Sequence, residues 1–282
     1  MSATFVAFEV VILALFIACF IQAWRHDRRR AWALGSAAAF GVLLEWATIQ
    51  QLRAYSYGRF MLMLDEVPVA IGLAWGTIIY TARLTSDATT LPDWARPLLD
   101  GLLALNLDLA MDALAIRLGY WDWGNGLEQG YFGVPYANFW AWFWVVFFFS
   151  AGWRALERWP HPLAVWLAPV GAIGVGVTGV LATNWLITSG VSRAWYVPTV
   201  VLVLGGALSV VLALRPRLHA RPVPAIAWMV PLVYHAFYLV VGLGTGVILQ
   251  PVVLLWVSLA MLAVSLGVHV PVTAWARRPD RA

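Results

Sequence analysis

Long apolar runs separated by short polar breaks dominate this chain. A helix that crosses a bilayer needs roughly 20 mostly apolar residues. Runs of about that length lie near residues 4–24, 32–52, 67–84, 98–117, 137–153, 163–187, 195–214, 225–242 and 247–270. The pattern predicts an all-α, polytopic transmembrane helix bundle of about nine helices, with eight and ten as the bounds. It fills residues 1–282 as a single integral membrane domain. The last two spans are the hardest to separate, since only Gly242, Leu243, Gly244, Thr245 and Gly246 stand between them.

The few basic residues orient the bundle. Cytoplasmic loops carry the positive excess. With nine spans, the linkers after spans 1, 3, 5 and 7 and the C-terminal tail hold Arg25, Arg28, Arg29, Arg30, Arg83, Arg96, Arg154, Arg158, Arg215, Arg217, Arg221, Arg277, Arg278 and Arg281. The opposite side holds only Arg53, Arg59, Arg117 and Arg193. This places the N-terminus outside and the C-terminus in the cytoplasm, and it favours an odd number of spans. The first span is followed by Arg25-His26-Asp27-Arg28-Arg29-Arg30 and has no basic residue before it, the reverse of a secretory signal, so it reads as a retained anchor. A multi-pass protein of a bacterial cytoplasmic membrane is the expected setting.

Composition then narrows the chemistry. Hydrophobic residues make up 62% of the 282 positions and charged residues 11%, against about 25% charged in a typical soluble domain. Every one of the 18 basic residues is Arg, which removes lysine Schiff bases and phosphate-loop lysines. The single cysteine, Cys19, excludes disulfide frameworks, iron–sulfur clusters and thiolate zinc sites. The net charge of +4 is a topology signal and a contact with anionic lipid heads; it offers no argument for nucleic acid.

A repeated spacing runs through residues 40–84 and 107–153. Glu45 is followed by Tyr55-Ser56-Tyr57-Gly58, Val67-Pro68 and Ala74-Trp75; Asp112 is followed by Trp121-Asp122-Trp123-Gly124, Val134-Pro135 and Ala141-Trp142. Acid to proline is 23 positions in both copies, and proline to tryptophan is 7. Each copy reads as a rising helix, an outer loop and a falling helix with proline at its start, which makes the two copies parallel repeats about an axis along the membrane normal.

Carboxylates inside apolar helices are the candidate chemistry. Insertion scales charge roughly 2.5 to 3.5 kcal/mol for Asp at a helix centre, so each needs a reason. Asp100 lies near the cytoplasmic end, where water can solvate it. Asp108 and Asp112 are four apart and therefore stacked on one helical face, with Asn106 off that stripe. Glu45, Asp108, Asp112, Asp65, Glu66, Asn138, Asn184 and His235 fall at one depth, describing a pocket open toward the outer leaflet. Asn184 and His235 read first as groups that hydrogen-bond helices together. Clustered carboxylates in a low dielectric cannot all ionise, so one keeps its proton and can act as a general acid. Trp46, Trp121, Trp123, Trp140, Trp142 and Trp144 surround them with aromatic faces, which stabilise cations. Trp24, Trp32, Trp94, Trp153, Trp159 and Trp275 read instead as anchors at the cytoplasmic interface. An acid in an aromatic box suits protonation of an alkene to a carbocation.

The run Asp108-Leu-Ala-Met-Asp112, Gly119-Tyr-Trp121-Asp-Trp123 and Tyr131-Phe-Gly133-Val-Pro135-Tyr-Ala-Asn138-Phe-Trp-Ala-Trp142 resembles the signature of a membrane family of carotenoid biosynthesis proteins, the carotenoid 1,2-hydratases, which include the bisanhydrobacterioruberin hydratases. Tyr55 to Gly58 and Val67 to Trp75 resemble its first motif, and Ala113 departs from a proline common in the pattern. The resemblance covers residues 40–150. It implies hydration of the terminal C1–C2 double bond of an acyclic, lycopene-like carotenoid, with no cofactor and no metal. Its partners would be a long polyene substrate and membrane lipid. Glu45, Asp108 and Asp112 are the candidate catalytic residues. Trp46, Tyr55, Tyr57, Asp65, Trp75, Trp121, Trp123, Asn138, Trp142 and His235 are the candidates for the substrate-binding wall. The same chemistry leaves a membrane lycopene cyclase open, the Asp-x-x-x-Asp element imitates a prenyltransferase, and intramembrane carboxylates also serve transporters. Five scattered histidines exclude a di-iron oxygenase.

Overall fold

In the computed structural model, which describes residues 2–124, 126–218 and 223–276, nine α-helices carry the chain: α1 (Ala3–His26), α2 (Arg28–Leu52), α3 (Val69–Asp87), α4 (Arg96–Arg117), α5 (Tyr136–Glu157), α6 (Ala164–Trp185), α7 (Arg193–Ala213), α8 (Ile226–Thr245) and α9 (Val253–Ala276). Their bounds follow the apolar runs closely. Asp27 separates the first two helices by leaving the helical conformation and capping α2 through Arg29 N–H. Pro68 and Pro135 occupy the N-cap of α3 and α5 with nearly the same dihedrals, one position before the first helical residue, where a missing N–H costs nothing. The two last helices are distinct. Gly246, with a left-handed φ of 80°, ends α8, and a 3₁₀ turn at Val247–Leu249 and Pro251 intervene before α9 begins at Val253, later than the hydropathy alone suggests.

Six of the helices, α1, α2, α5, α6, α7 and α8, are long and apolar enough by themselves to cross a membrane, and the protein is a multi-pass membrane protein. The helices α3 and α4 fall outside that set because they form the centre of the bundle. The first packs on α1, α2, α4 and α8, and the second on α3, α5, α7, α8 and α9. A helix wrapped by protein needs less apolar surface than one wrapped by lipid, which leaves α4 free to carry Asp100, Asp108 and Asp112. By contrast α7 keeps Val201, Leu202 and Leu212 exposed, as a lipid-facing helix does.

The loops sort into two faces. Tyr120 donates to the carbonyl of Thr4, Met61 N–H reaches Glu9, and Arg117 donates to the Phe132 and Gln250 carbonyls, so the N-terminus and the loops after α2, α4 and α8 share one face. On the other face Thr90 N–H bonds the Arg217 carbonyl, joining the loops after α3 and α7. Arg221, Arg277, Arg278 and Arg281 lie outside the described residues, as does the Trp275 side chain. Trp24, Trp32, Trp94 and Trp159 are exposed as interface anchors should be. Trp153 is not one of them. It is buried, and the Arg83 guanidinium stacks on its ring at 3.7 Å.

Candidate active site

The loops after α2 and α4 meet on one face of the bundle. Strand β1 (Ser56–Tyr57) pairs antiparallel with β4 (Trp121–Asp122), in a register that sets Ser56 against Asp122 and Tyr57 against Trp121. Gly58 permits the approach, since its N–H bonds the Tyr120 carbonyl and a Cβ there would stand 2.5 Å from the Gly119 carbonyl oxygen. Beneath the pairing, β2 (Met63–Leu64) and β3 (Val67–Pro68) form a second two-residue ladder that leads into α3. Tyr55 packs on Trp123 at 4.7 Å between ring centroids, and Tyr57 meets Trp121 edge-on at 6.0 Å. One helix layer deeper, Trp75 of α3 and Trp142 of α5 touch at 4.4 Å.

These rings roof and wall a cavity of about 400 Å³, within the size range of small-molecule sites. Glu45, Asp112, Asn138, Tyr55, Tyr57, Trp75, Trp121, Trp123 and Trp142 line it. Glu45 is the most heavily bonded. Its Oε2 accepts from the hydroxyls of Tyr55 and Tyr57, the latter at 2.8 Å, and its Oε1 accepts from the Trp75 indole N–H at 2.7 Å. Removal from water, and then the Glu45 charge, push the Tyr55 and Tyr57 phenols well above their ordinary range, so both remain protonated donors.

Across the cavity, Asn138 in the first turn of α5 bridges the two stacked acids of α4. Its Nδ2 lies 3.0 and 3.1 Å from the two Asp108 oxygens and 2.6 Å from Asp112 Oδ2. Asp112 faces the cavity, while Asp108 is fully buried behind Asn138 and does not line it. Among the described residues, no Arg or His hydrogen-bonds or ion-pairs with Glu45, Asp108 or Asp112. Three acids therefore share a low-dielectric volume without a side-chain cation, an arrangement that is costly in a bilayer and calls for a reason.

Three other candidates stand elsewhere. Trp46 is 42% exposed on the outside of α2, where its indole N–H bonds Asp65, so the pair ties the loop to the helix away from the cavity. His235 sits between α8 and α4, with Nε2 3.1 Å from Asn106 Oδ1. Asp100 needs a correction: it is fully buried and unsolvated, held by Arg154 at 3.0 Å and by Ser150 at 2.5 Å. The residues that sequence reasoning passed over are the apolar walls, Ile71, Ile78 and Val145, and the α6–α7 side, Thr188 and Tyr196. No spacing rule connects that side to the acids, because it comes from a different part of the chain.

A family model described as "Carotenoid biosynthesis protein" matches residues 5–214, well over half of the chain. The chain belongs to the carotenoid biosynthesis protein family. The match includes every residue of the acid cluster and the helices that frame the cavity, from α1 to α7. A role in carotenoid biosynthesis follows from that membership, in a chain whose helices sit in lipid. No curated protein and no solved structure matches the chain.

Proposed function

We propose that this carotenoid biosynthesis protein is a cofactor-free hydro-lyase that adds water across the terminal C1–C2 double bond of an acyclic, lycopene-like carotenoid in a bacterial cytoplasmic membrane. The observation that carries the reading is an acid cluster lacking any side-chain cation at the wall of an aromatic cavity. Glu45 already accepts three hydrogen bonds, so the proton donor is assigned to Asp112. Its proton forms the new C2–H bond with the π electrons of C1=C2 and leaves a tertiary cation at C1. The faces of Trp75, Trp142, Trp121 and Tyr57 stabilise that cation, an interaction worth about 2 kcal/mol or more when dry. Water oxygen then bonds C1 and gives up its surplus proton to Glu45, directly or through the Tyr55 hydroxyl. Proton return to Asp112 closes the cycle, and the net change is one water added with no change of redox state. Asp108 serves as a positioning residue, since it reaches the cavity only through Asn138.

Expression in a bacterial host that accumulates lycopene, followed by mass analysis of the pigments, tests the reading. A product one water heavier supports it. An isomer of equal mass identifies a cyclase instead, and unchanged pigment removes this substrate class. Should the Asp112→Asn and Glu45→Gln variants both hydrate at the parent rate, the acid cluster is not the catalyst.

A further inference from the structure

The cavity has polar groups that the acid cluster does not account for. Asn184, in the last turn of α6, lines it and is 3% exposed, yet its Nδ2 has no hydrogen-bond partner. Trp123 lines the same cavity from the loop after α4, packed on Tyr55, and its Nε1 is likewise buried and unpartnered. An unsatisfied buried donor is costly and uncommon in a folded protein, so each calls for an acceptor. Just past Asn184 the helix changes to a five-residue π turn, Leu186–Gly190, a departure that often marks functional positions, and Thr188 within it also faces the cavity. A hydrocarbon polyene has no oxygen to offer these groups. Water has, and the site is both roomy and polar enough to hold one.

We propose that Asn184 Nδ2 and Trp123 Nε1, both on the cavity wall, hold the attacking water. The inference rests on the hydratase reading above. Two N–H donors on the water oxygen fix its position, and a water hydrogen directed to the Tyr55 oxygen connects it to Glu45, which Tyr55 already faces. At attack the oxygen gives an electron pair to C1 and exchanges a hydrogen bond for the new C–O bond. Its surplus proton passes to the Tyr55 oxygen while the Tyr55 proton passes to Glu45. Asn184 thus acts on the second half of the reaction, after the alkene has been protonated.

The division suggests a test in D₂O on the full-length protein in membranes, with a lycopene-type substrate. The parent is expected to give a product one water heavier with deuterium at C2 and little label in recovered substrate. Asn184→Leu and Trp123→Phe leave the proton donor in place, so the cation still forms but loses a proton back to alkene. In both variants hydration should fall about tenfold, the effect of one hydrogen bond of ordinary strength, while deuterium accumulates in recovered polyene. Asn184→Leu should leave the thermal midpoint near that of the parent, because Nδ2 bonds no protein group, whereas Trp123→Phe keeps a ring against Tyr55 and should lower it only slightly. Hydration at the parent rate in both variants overturns the proposal. So does an equal loss of hydration and of deuterium entry in a protein with the parent midpoint, which would place Asn184 in the protonation step. A parent enzyme that forms no heavier product sinks the hydratase reading itself, a distinguishable outcome.

Discussion

Helices α4 and α5 carry two clusters of buried polar groups, built by opposite rules. Toward the N-terminal end of α4, Asp100 of α4 and Ser150 and Arg154 of α5 form an ionic network. Arg154 also bonds Asp87 and, at 2.8 Å, Ser86, while Arg83 reaches Glu157 at 3.5 Å. About 12 and 18 Å further along α4, given 1.5 Å of rise per residue, Asp108 and Asp112 share the amide of Asn138 and meet no arginine. The first cluster spends every acid on a cation and so fixes helices to each other. The second withholds cations and sets Asp112 against a cavity. Burial of a carboxylate alone therefore does not mark a site; burial without a counter-ion, beside open volume, does.

The largest effect that would break this contrast is catalytic. Asp112→Asn is expected to lower hydration by about 10²- to 10⁴-fold while the thermal midpoint in detergent holds or rises, since a charge-forming group has been replaced by its neutral isostere. A midpoint that collapses instead would make Asp112 structural, like Asp100. Next in size, Arg154→Met strands Asp100 as a buried, unpaired acid and should cost about 3–5 kcal/mol, seen as lost folded protein. Adding Asp100→Asn to that variant should recover more than half, because the stranded charge is gone. Smaller again, Tyr57→Phe removes one of the three donors to Glu45 and should reduce turnover several-fold, about 1 kcal/mol, without unfolding the loop. The smallest expectation concerns pH. The Tyr55 and Tyr57 phenols are raised above their usual range, so they stay protonated throughout the range in which ordinary phenols do, and the rate profile should show no phenolic limb below about pH 10. A loss of activity in that range would mean that a phenolate forms at the site.

Much of the helix frame was legible because hydropathy reports bilayer crossings directly. The spans agree with the helices to within about four residues, apart from both ends of α9, which lie six residues later, and the extension of α6 into a π turn. The acid, aromatic and proline spacing pointed to the residues that gather at the cavity, because both segments hold the same offsets from acid to loop to helix. The structure adds that corresponding loop positions, Ser56 and Asp122, face each other across the ladder. Spacing could not distinguish Trp46 from Trp75, since both are tryptophans near Glu45; only the side of the helix each occupies sends one to Asp65 and the other to Glu45. Nor could position along α4 show that Asp100 is held by an arginine and Asp112 by an amide.

What the sequence determined by itself is what one chain segment can encode: the apolar length of each span, the unequal share of arginine between alternate linkers, and the offsets between acids and rings. What only the tertiary structure decided is which buried acid meets a cation. Arg154 reaches Asp100 from 54 positions away, and Asn138 rather than an arginine reaches Asp112. Partner choice in a low dielectric depends on which helix packs alongside, and that contact is set by the whole bundle.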